Sequence, residues 1–390
     1  MLKKFDKKFE QDDYSEIHKK YFKILQDTQS IYADPSGWIE TFSNVGLINK
    51  RYNERLQRYY SDMSRSQIKE KKLPIIDLLS KWDEIPYDLD AITLCHSTTV
   101  GSMITLAVLK AKGINNIIFE TPNYYATYYQ AETIGMNIIQ VPTYYNEDFQ
   151  FYLDKKILSK LSPCIVWLTQ PRTALGYNQN ENNMREILQN LSPDSYIVID
   201  EATEQFFPSV LSKINYLQYP NVIKIRSLFK GMGVNGLRLA SIIHHPSLRF
   251  EMADEMEVFQ GALDVHSLEH AVVMSNDVTL FKELLTVSNK QICDLRVKAE
   301  RQILGTTCSV SKIVNGYIGS AVIHLDVSNH TRKIVRKKLI EYCAKNNMPV
   351  ILGSAMSFAV HNNLEFIRLN YFSRERHILE GIQILASFTF

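Results

Sequence analysis

The chain has 390 residues, with 44 Lys+Arg against 42 Asp+Glu for a net charge of +2, and 45% of its residues are hydrophobic. At about 150 residues per domain this length predicts two or three domains, and the apolar fraction excludes disorder as the main state. A near-neutral balance supplies no field that argues for nucleic acid or an anionic membrane as the main partner. Cys95, Cys164, Cys293, Cys308 and Cys343 are odd in number and widely spaced with no CxxC, which argues against a disulfide framework and a structural zinc site.

Residues 1–28 carry Phe5, Phe9, Tyr14, Ile17, Tyr21 and Leu25 at spacings of three and four, which predicts an amphipathic helix with one adhesive face. They lack an apolar core and a small-residue cleavage site, and no later stretch approaches 18 uninterrupted apolar residues, so a soluble cytoplasmic protein is expected. Residues 29–50 read as a connector, and 51–89 as a polar, helix-like stretch leading to the strand AITLC. A helix is predicted over 100–112, a strand over 116–119, a helix over 125–134 and strands over 137–141 and 164–168. A helix over 182–190 and strands over 196–199, 222–225 and 238–244 follow. Strands separated by helical patterns predict an α/β fold with a mostly parallel sheet and helices on both faces. The runs IIF, CIVWL and YIVI do not alternate, as expected of strands buried on both faces. Beyond residue 280 a long helix over 285–304, strands over 317–325 and 365–370, and helices over 331–346 and 375–388 predict a smaller α+β unit. The expected organisation is an N-terminal helix and connector over 1–50, a large α/β domain over 51–280 and a small domain over 281–390.

Gly231-Met-Gly233-Val-Asn-Gly236 fits GxGxxG after the strand VIKIR. That motif holds a dinucleotide through a helix that begins at the loop, whereas LRLASIIHH follows here and reads as extended, so a plain loop is the better reading. Ser227-x-x-Lys230 has the spacing of a serine–lysine acylation pair, but the partner motifs are absent from the sequence. His266 and His270, four apart on an expected helix, have no third ligand nearby, so no metal is expected. The basic run from Arg332 to Lys338 reads as a solvated helix face.

A different grouping makes several residues cooperate. IVIDEATEQFFP ends a strand with Asp200, and thirty residues later IRSLFKGMGVNGLRLA ends another with Lys230. This puts a carboxylate and an amine at the carboxyl ends of two strands, where ligands bind in open α/β sheets. A lysine there can form a Schiff base with an aldehyde cofactor, and a carboxylate can keep a pyridine nitrogen protonated. Taken singly each has a plainer role: Lys230 as a loop lysine, Asp200 as a strand-end salt bridge, Ser97 to Thr99 as a helix cap.

From about residue 90 to 385 the sequence resembles the class I/II pyridoxal-phosphate aminotransferases of fold type I, closest in pattern to the histidinol-phosphate aminotransferase branch. The resemblance implies Lys230 as the Schiff-base lysine and general base, with Ser227 and Arg238 reaching the cofactor phosphate. TPNYYATYYQAETIGMNIIQVP implies Tyr124 stacked on the cofactor ring, and CHSTTVGSMITL implies Ser97, Thr98 and Thr99 as phosphate donors. EFIRLNYFSRERHILEGIQIL implies Arg368 as the grip on the substrate α-carboxylate, a planar fork for a planar group. Three positions depart from the family pattern. QPRTALGY places Thr173 where an Asn is usual, DEAT places Thr203 where a tyrosine is usual, and Phe229 stands where a small hydroxyl residue is common. The first two positions normally bond the cofactor's phenolic oxygen, so a reaction other than transamination stays open: elimination, replacement, cyclisation, decarboxylation or oxidation. A non-catalytic binding protein retaining the fold is the further alternative. The resemblance also implies amino acid and 2-oxo acid substrates and a homodimer. Tyr59 and Tyr60 faintly resemble an N-terminal family tyrosine that reaches a neighbouring subunit's phosphate. Tyr124, Tyr125, Tyr128 and Tyr177 allow an aromatic or a polar pocket.

Overall fold

The structure is a computed structural model that describes residues 65–144, 150–173, 175–204, 206–230, 236–306, 308–310, 316–324, 329–348, 350, 352, 364–371 and 374–389. The expected helix over 1–28, the connector over 29–50, Tyr59 and Tyr60, and all of the GxGxxG run before Gly236 lie outside these residues.

The first described element is helix α1 (Arg65–Asp83), followed by strand β1 (Ile92–Cys95), α2 (Thr98–Ala111), β2 (Asn116–Thr121), α3 (Tyr125–Thr133) and β3 (Asn137–Pro142). Then come α4 (Lys155–Leu161), β4 (Cys164–Thr169), α5 (Glu181–Asn190), β5 (Tyr196–Glu201), β6 (Val222–Ser227) and β7 (Ala240–Ile243). These seven strands form one sheet in the order β1-β7-β6-β5-β4-β2-β3. β7 runs antiparallel to both of its neighbours, while β6-β5-β4-β2-β3 pair in parallel. The expected strand over 238–244 is shorter than its apolar run, because the Arg238 N–H is already committed to the Ser267 hydroxyl at 2.8 Å. Since β7 is reversed, the residues just before it share an edge with the residues just after β1, β6, β5, β4 and β2. That single edge is where a ligand site is expected.

β4 is buried along its whole length and β5 from its second residue on, as their unbroken apolar runs require of central strands. Helix α2 lies close on the sheet: a Cβ on Gly101 would come within 3.1 Å of Cys95 Sγ and 3.2 Å of Ile225. Glycine there lets the helix N-terminus sit directly above the strand ends.

After β7 follow α6 (Arg249–Phe259), α7 (Val265–Ser275) and α8 (Val278–Gln302), then β8 (Cys308–Val310), β9 (Ile318–His324), α9 (Asn329–Lys345), β10 (Leu364–Asn370) and α10 (Glu375–Ala386). β8, β9 and β10 form a separate antiparallel sheet in the order β10-β9-β8, with its own buried cluster that includes Leu295, Ala321, Leu339, Ile367 and Ile382. Within the basic run, Arg336 is half-buried and pairs with Glu365 at 2.7 Å, so that face is not wholly solvated.

A buried charged layer lies beneath the ends of β5 and β6. Arg226 donates to Asp83 at 2.9 Å and to Glu201, and packs 5.0 Å from the Trp82 ring. Lys224 lies 3.7 Å from Asp83 and 3.6 Å from Glu201, and donates to the Leu211 carbonyl at 3.0 Å. Glu204 accepts from the Ser209 hydroxyl at 2.8 Å and from the Val210 N–H at 3.0 Å. Burial, and then the Glu201 charge, push the Glu204 carboxyl up to about 8. A proton on Glu204 leaves Asp83 and Glu201 to balance Lys224 and Arg226, a neutral layer. Because the folded-state value lies above the ordinary carboxyl value, the folded chain holds this proton more tightly than the unfolded chain. The associated stability is therefore full below about pH 4.5 and is lost as pH rises toward 8. Glu204→Gln keeps the Val210 N–H bond through its amide oxygen, can donate its NH2 to the Ser209 hydroxyl in place of accepting from it, and removes the titration. Its stability relative to the parent, from urea unfolding, is expected to improve by about 1–3 kcal/mol between pH 6 and pH 8; a pH-independent difference would count against a protonated Glu204.

Candidate active site

Asp200, Ser227, Lys230, Arg238, the Ser97–Thr99 turn, Tyr124 and Thr173 lie at or just beyond one edge of the large sheet. Asp200 and Ile225 are register partners in β5 and β6, and Lys230 stands three residues past the end of β6. Asp200 is buried and accepts the Ala202 N–H at 3.0 Å. Burial raises its carboxyl to about 6, against the opposing pull of the Lys230 charge. Burial lowers the Lys230 amine to about 8; Asp200 works against that fall, while Arg238 and Arg368 add to it. The amine and the acid therefore lie in each other's field, with two arginines close enough to act on the amine.

Ser97 caps α2, its hydroxyl accepting the Val100 N–H at 3.2 Å. The hydroxyl proton stays available for donation, and the next N–H groups, of Thr98 and Thr99, have no partner within the helix by construction. Lys230 Nζ donates to Thr98 Oγ1 at 3.4 Å, and the Lys230 N–H donates to Ser227 Oγ at 3.3 Å, so the helix start, the β6 end and the lysine are in contact. Arg238 is exposed, two residues before β7.

Tyr124 precedes α3 and is partly exposed, its ring 5.1 Å from that of Tyr125. Burial raises its phenol, followed in effect by Tyr125; a hydrogen bond with Thr99 and the charges of Arg368 and Asp200 also act on it. Tyr128 and Tyr177 are buried instead, Tyr128 against Phe119 and Tyr177 with Leu175, Val322 and Phe366, which leaves Tyr124 and Tyr125 as the accessible phenols of the four. Thr173 follows β4, in a turn braced from below. Its N–H donates to Thr169 Oγ1 at 3.2 Å, Thr169 Oγ1 donates to Glu120 at 3.0 Å, and Glu120 pairs with the buried Arg172. Arg368 lies on β10, paired in register with Ser320 of β9, and is half-buried.

One residue escaped the sequence reading. Tyr317, just before β9, is fully buried, and its phenol is raised well above the ordinary value by burial, with Arg368, Asp200 and Tyr124 all acting on it. Its neighbour Gly316 explains the placement. With φ +84°, and with a built Cβ falling 2.5 Å from the Thr203 carbonyl and 2.8 Å from Pro171, this position admits glycine alone. The close approach seats the second sheet against Thr203 and the Pro171 turn. A glycine before a strand was the available signal, but the contact that gives it meaning spans more than a hundred residues.

Against known proteins, the profile described as Aminotransferase class I and II matches residues 53–355. The chain belongs to this family. The histidinol-phosphate aminotransferase of Buchnera aphidicola is 24% identical over 169 residues, 43% of this chain and 46% of that protein. Histidinol-phosphate aminotransferase 1 of Haemophilus influenzae is 31% identical over 134 residues, 34% and 37% of the two chains. The chain thus spans about half the length, or less, of the curated relatives it matches. In three dimensions it resembles YbdL of Escherichia coli, a methionine aminotransferase, with a TM-score of 0.75 at 13% identity over 95% of this chain and 96% of that one. The aromatic aminotransferase of Pyrococcus horikoshii gives 0.74 at 16% identity over 94% and 97%. The fold is that of the fold type I aminotransferases, as the sequence resemblance implied. Among the described residues no helix is long and apolar enough to cross a membrane, and no group of three or more His, Cys, Asp or Glu side chains is arranged to hold a metal ion.

Proposed function

We propose that the chain is a pyridoxal 5′-phosphate-dependent aminotransferase that moves an amino group between an amino acid and a 2-oxo acid. The observation that carries this reading is the position of Asp200 at the end of β5 and Lys230 just past the neighbouring parallel strand β6, each in the other's field, with Arg368 acting on the same amine from the second sheet. The donor set fits the cofactor. The start of α2 with its hydroxyls, together with Ser227 and Arg238, suits a phosphate dianion. The accessible Tyr124 suits a flat ring, and a buried acid raised by burial suits a protonated ring nitrogen, which would pull its pKa down again. When bound, pyridoxal phosphate supplies an aldehyde carbon and an electron-accepting ring.

Lys230 Nζ would hold the cofactor through its aldehyde carbon, and is placed to act as the base that takes the proton from the substrate α-carbon. An amine near 8 is matched to that task near neutral pH, because a useful fraction is already unprotonated. Asp200 would keep the cofactor's ring nitrogen protonated. Arg368 fixes the substrate carboxylate, and Tyr317, close enough to feel the same guanidinium, stays a neutral donor across the working range. By the family resemblance, Thr173 and Thr203 stand at the positions whose Asn and Tyr would bond the cofactor's phenolic oxygen, with hydroxyls shorter in reach. These replacements favour, as a second reading, another reaction on the same scaffold. Purified protein reconstituted with the cofactor, offered a panel of amino acids with 2-oxo acids, separates the two: amino-group transfer is expected, and consumption of amino acid without transfer would establish the second reading. Failure to acquire a visible absorption band would favour the non-catalytic alternative.

The division at about residue 280 into a large and a small domain, and a homodimer with the segment 1–28 against the partner or over the site, belong to the same proposal. A monomeric mass in solution with full activity would exclude the dimer.

A further inference from the structure

Two of the segments assigned above to the cofactor phosphate are tied to one structural element that none of the motifs includes. The first segment is the turn from Ser97 to Thr99, entered through His96. The His96 N–H donates to Gln260 Oε1 at 2.6 Å, and His96 Nε2 accepts the Asp264 N–H at 2.9 Å. Because Nε2 accepts, the proton of the neutral ring sits on Nδ1. The second segment is Arg238, whose N–H donates to Ser267 Oγ at 2.8 Å. Asp264 and Ser267 are themselves joined, as the N-cap of α7: Asp264 Oδ2 accepts the Ser267 N–H at 2.9 Å. The path from His96 through Asp264 and Ser267 to Arg238 is therefore continuous, each link a hydrogen bond of ordinary length. Ser267 is buried, and no charged side chain is needed along the path except the capping acid.

We propose that His96, Gln260, Asp264 and Ser267 form a clamp that positions the phosphate-binding groups: the α7 N-cap sets the distance between the α2 N-terminus and Arg238. The inference rests on the phosphate assignment made under the proposed function. A dianion held between a helix start and a guanidinium depends steeply on their separation, since both contacts are charge-assisted and directional. The β1–β7 ladder, with Cys95 opposite Ala240, fixes the strand ends behind these two loops, and the α7 N-cap ties the loops themselves beyond the last ladder pair, where no strand bond reaches. These are positioning residues, acting through Ser97–Thr99 and Arg238 rather than on the ligand.

The test compares pyridoxal 5′-phosphate with pyridoxal, which lacks the phosphate, in equilibrium binding to the full chain followed by visible absorbance. His96→Leu and Ser267→Ala are each expected to weaken the phosphorylated ligand by roughly five- to tenfold, the worth of one hydrogen bond, while leaving pyridoxal unchanged. His96→Gln, whose side-chain oxygen can accept the Asp264 N–H, is expected to restore the phosphorylated ligand to within about twofold of the parent. Equal losses for both ligands, or no loss with either variant, would overturn the clamp. Should His96→Leu fail to fold, Ser267→Ala and Gln260→Ala decide by the same comparison. If the parent chain binds neither ligand, the cofactor assignment itself fails, a result distinct from a parent that binds and variants that do not discriminate.

Discussion

Replacing Lys230 with alanine is expected to abolish the visible absorption of the reconstituted protein and to lower amino-group transfer by at least about 10³-fold, since both the attachment point and the proton-transfer group are removed. The fold should survive. Lys230 makes one long hydrogen bond, 3.4 Å to Thr98, and its burial depresses its pKa, so the ammonium contributes strain rather than stability. The sign of the pH dependence follows. A lysine lowered to about 8 in the folded chain costs stability while it is protonated in solution but reluctant to be so in the fold, over the range from about 8 to the ordinary value of 10.5. Stability in the parent should rise with pH across that interval, and Lys230→Ala should not show the rise. Before the cofactor is attached, a tenth or so of the amine is neutral at pH 7. The rate of cofactor capture should therefore climb about tenfold from pH 6 to pH 7 and level off above 8. A Lys230→Ala protein that keeps the absorption band and its rate places the attachment at another amine. A loss of capture in Asp200→Ala with Lys230 intact would separate the acid's part from the amine's.

Much of this site was legible before any coordinates, for a simple reason. Strands buried on both faces read as unbroken apolar runs, and the polar residue that ends such a run marks the edge of the sheet. Asp200 after YIVI and the Ser227–Lys230 turn after VIKIR were found this way, and β5 and β6 prove to be neighbours. Arg238 was placed by family spacing; the reversal of β7 is what brings it to the same edge, and strand direction cannot be read from a four-residue apolar segment. The elements α6 and α8 show where periodicity fails. Phe250, Val258 and Phe259 are exposed on α6, so its apolar residues do not report a buried stripe, while α8 begins at Val278 because Asp277 caps it, seven residues before the apolar pattern becomes regular. Tyr317 and the α7 clamp were out of reach because each depends on a contact between distant segments. The sequence carries no sign of where the charges of VIKIRS go: Lys224 and Arg226 are both buried, because Asp83, 143 residues away from Arg226, comes to meet them.

That buried layer yields the second large effect. Arg226→Met is expected to destabilise the chain by about 3–5 kcal/mol, because removing one partner of a desolvated ion cluster leaves the other charges uncompensated. Asp83 and Glu201 would each lose their guanidinium, and Trp82 the cation 5.0 Å from its ring. Lys224 remains but is farther from both acids, at 3.7 Å and 3.6 Å, and is already committed to the Leu211 carbonyl. Burial opposes ionisation of Asp83, yet Arg226 and Lys224 hold its pKa below the ordinary value, so the acid depends on these cations to stay charged in the interior. The layer also bears on the site. Glu201 and Arg226 are register partners, one residue after Asp200 and one before Ser227, so a shift in either strand end would move the acid and the phosphate-side hydroxyl together. Cofactor affinity in Arg226→Met should fall along with stability, and at a temperature where the variant is still folded the affinity loss should persist. Adding Glu201→Gln should recover part of the stability by removing one of the stranded charges, and the size of that recovery in a double-mutant cycle measures the pair directly. A cost below about 1 kcal/mol for Arg226→Met would mean that water or rearranged side chains satisfy the acids, and that β5 and β6 are held in register by their backbone ladder and apolar packing instead.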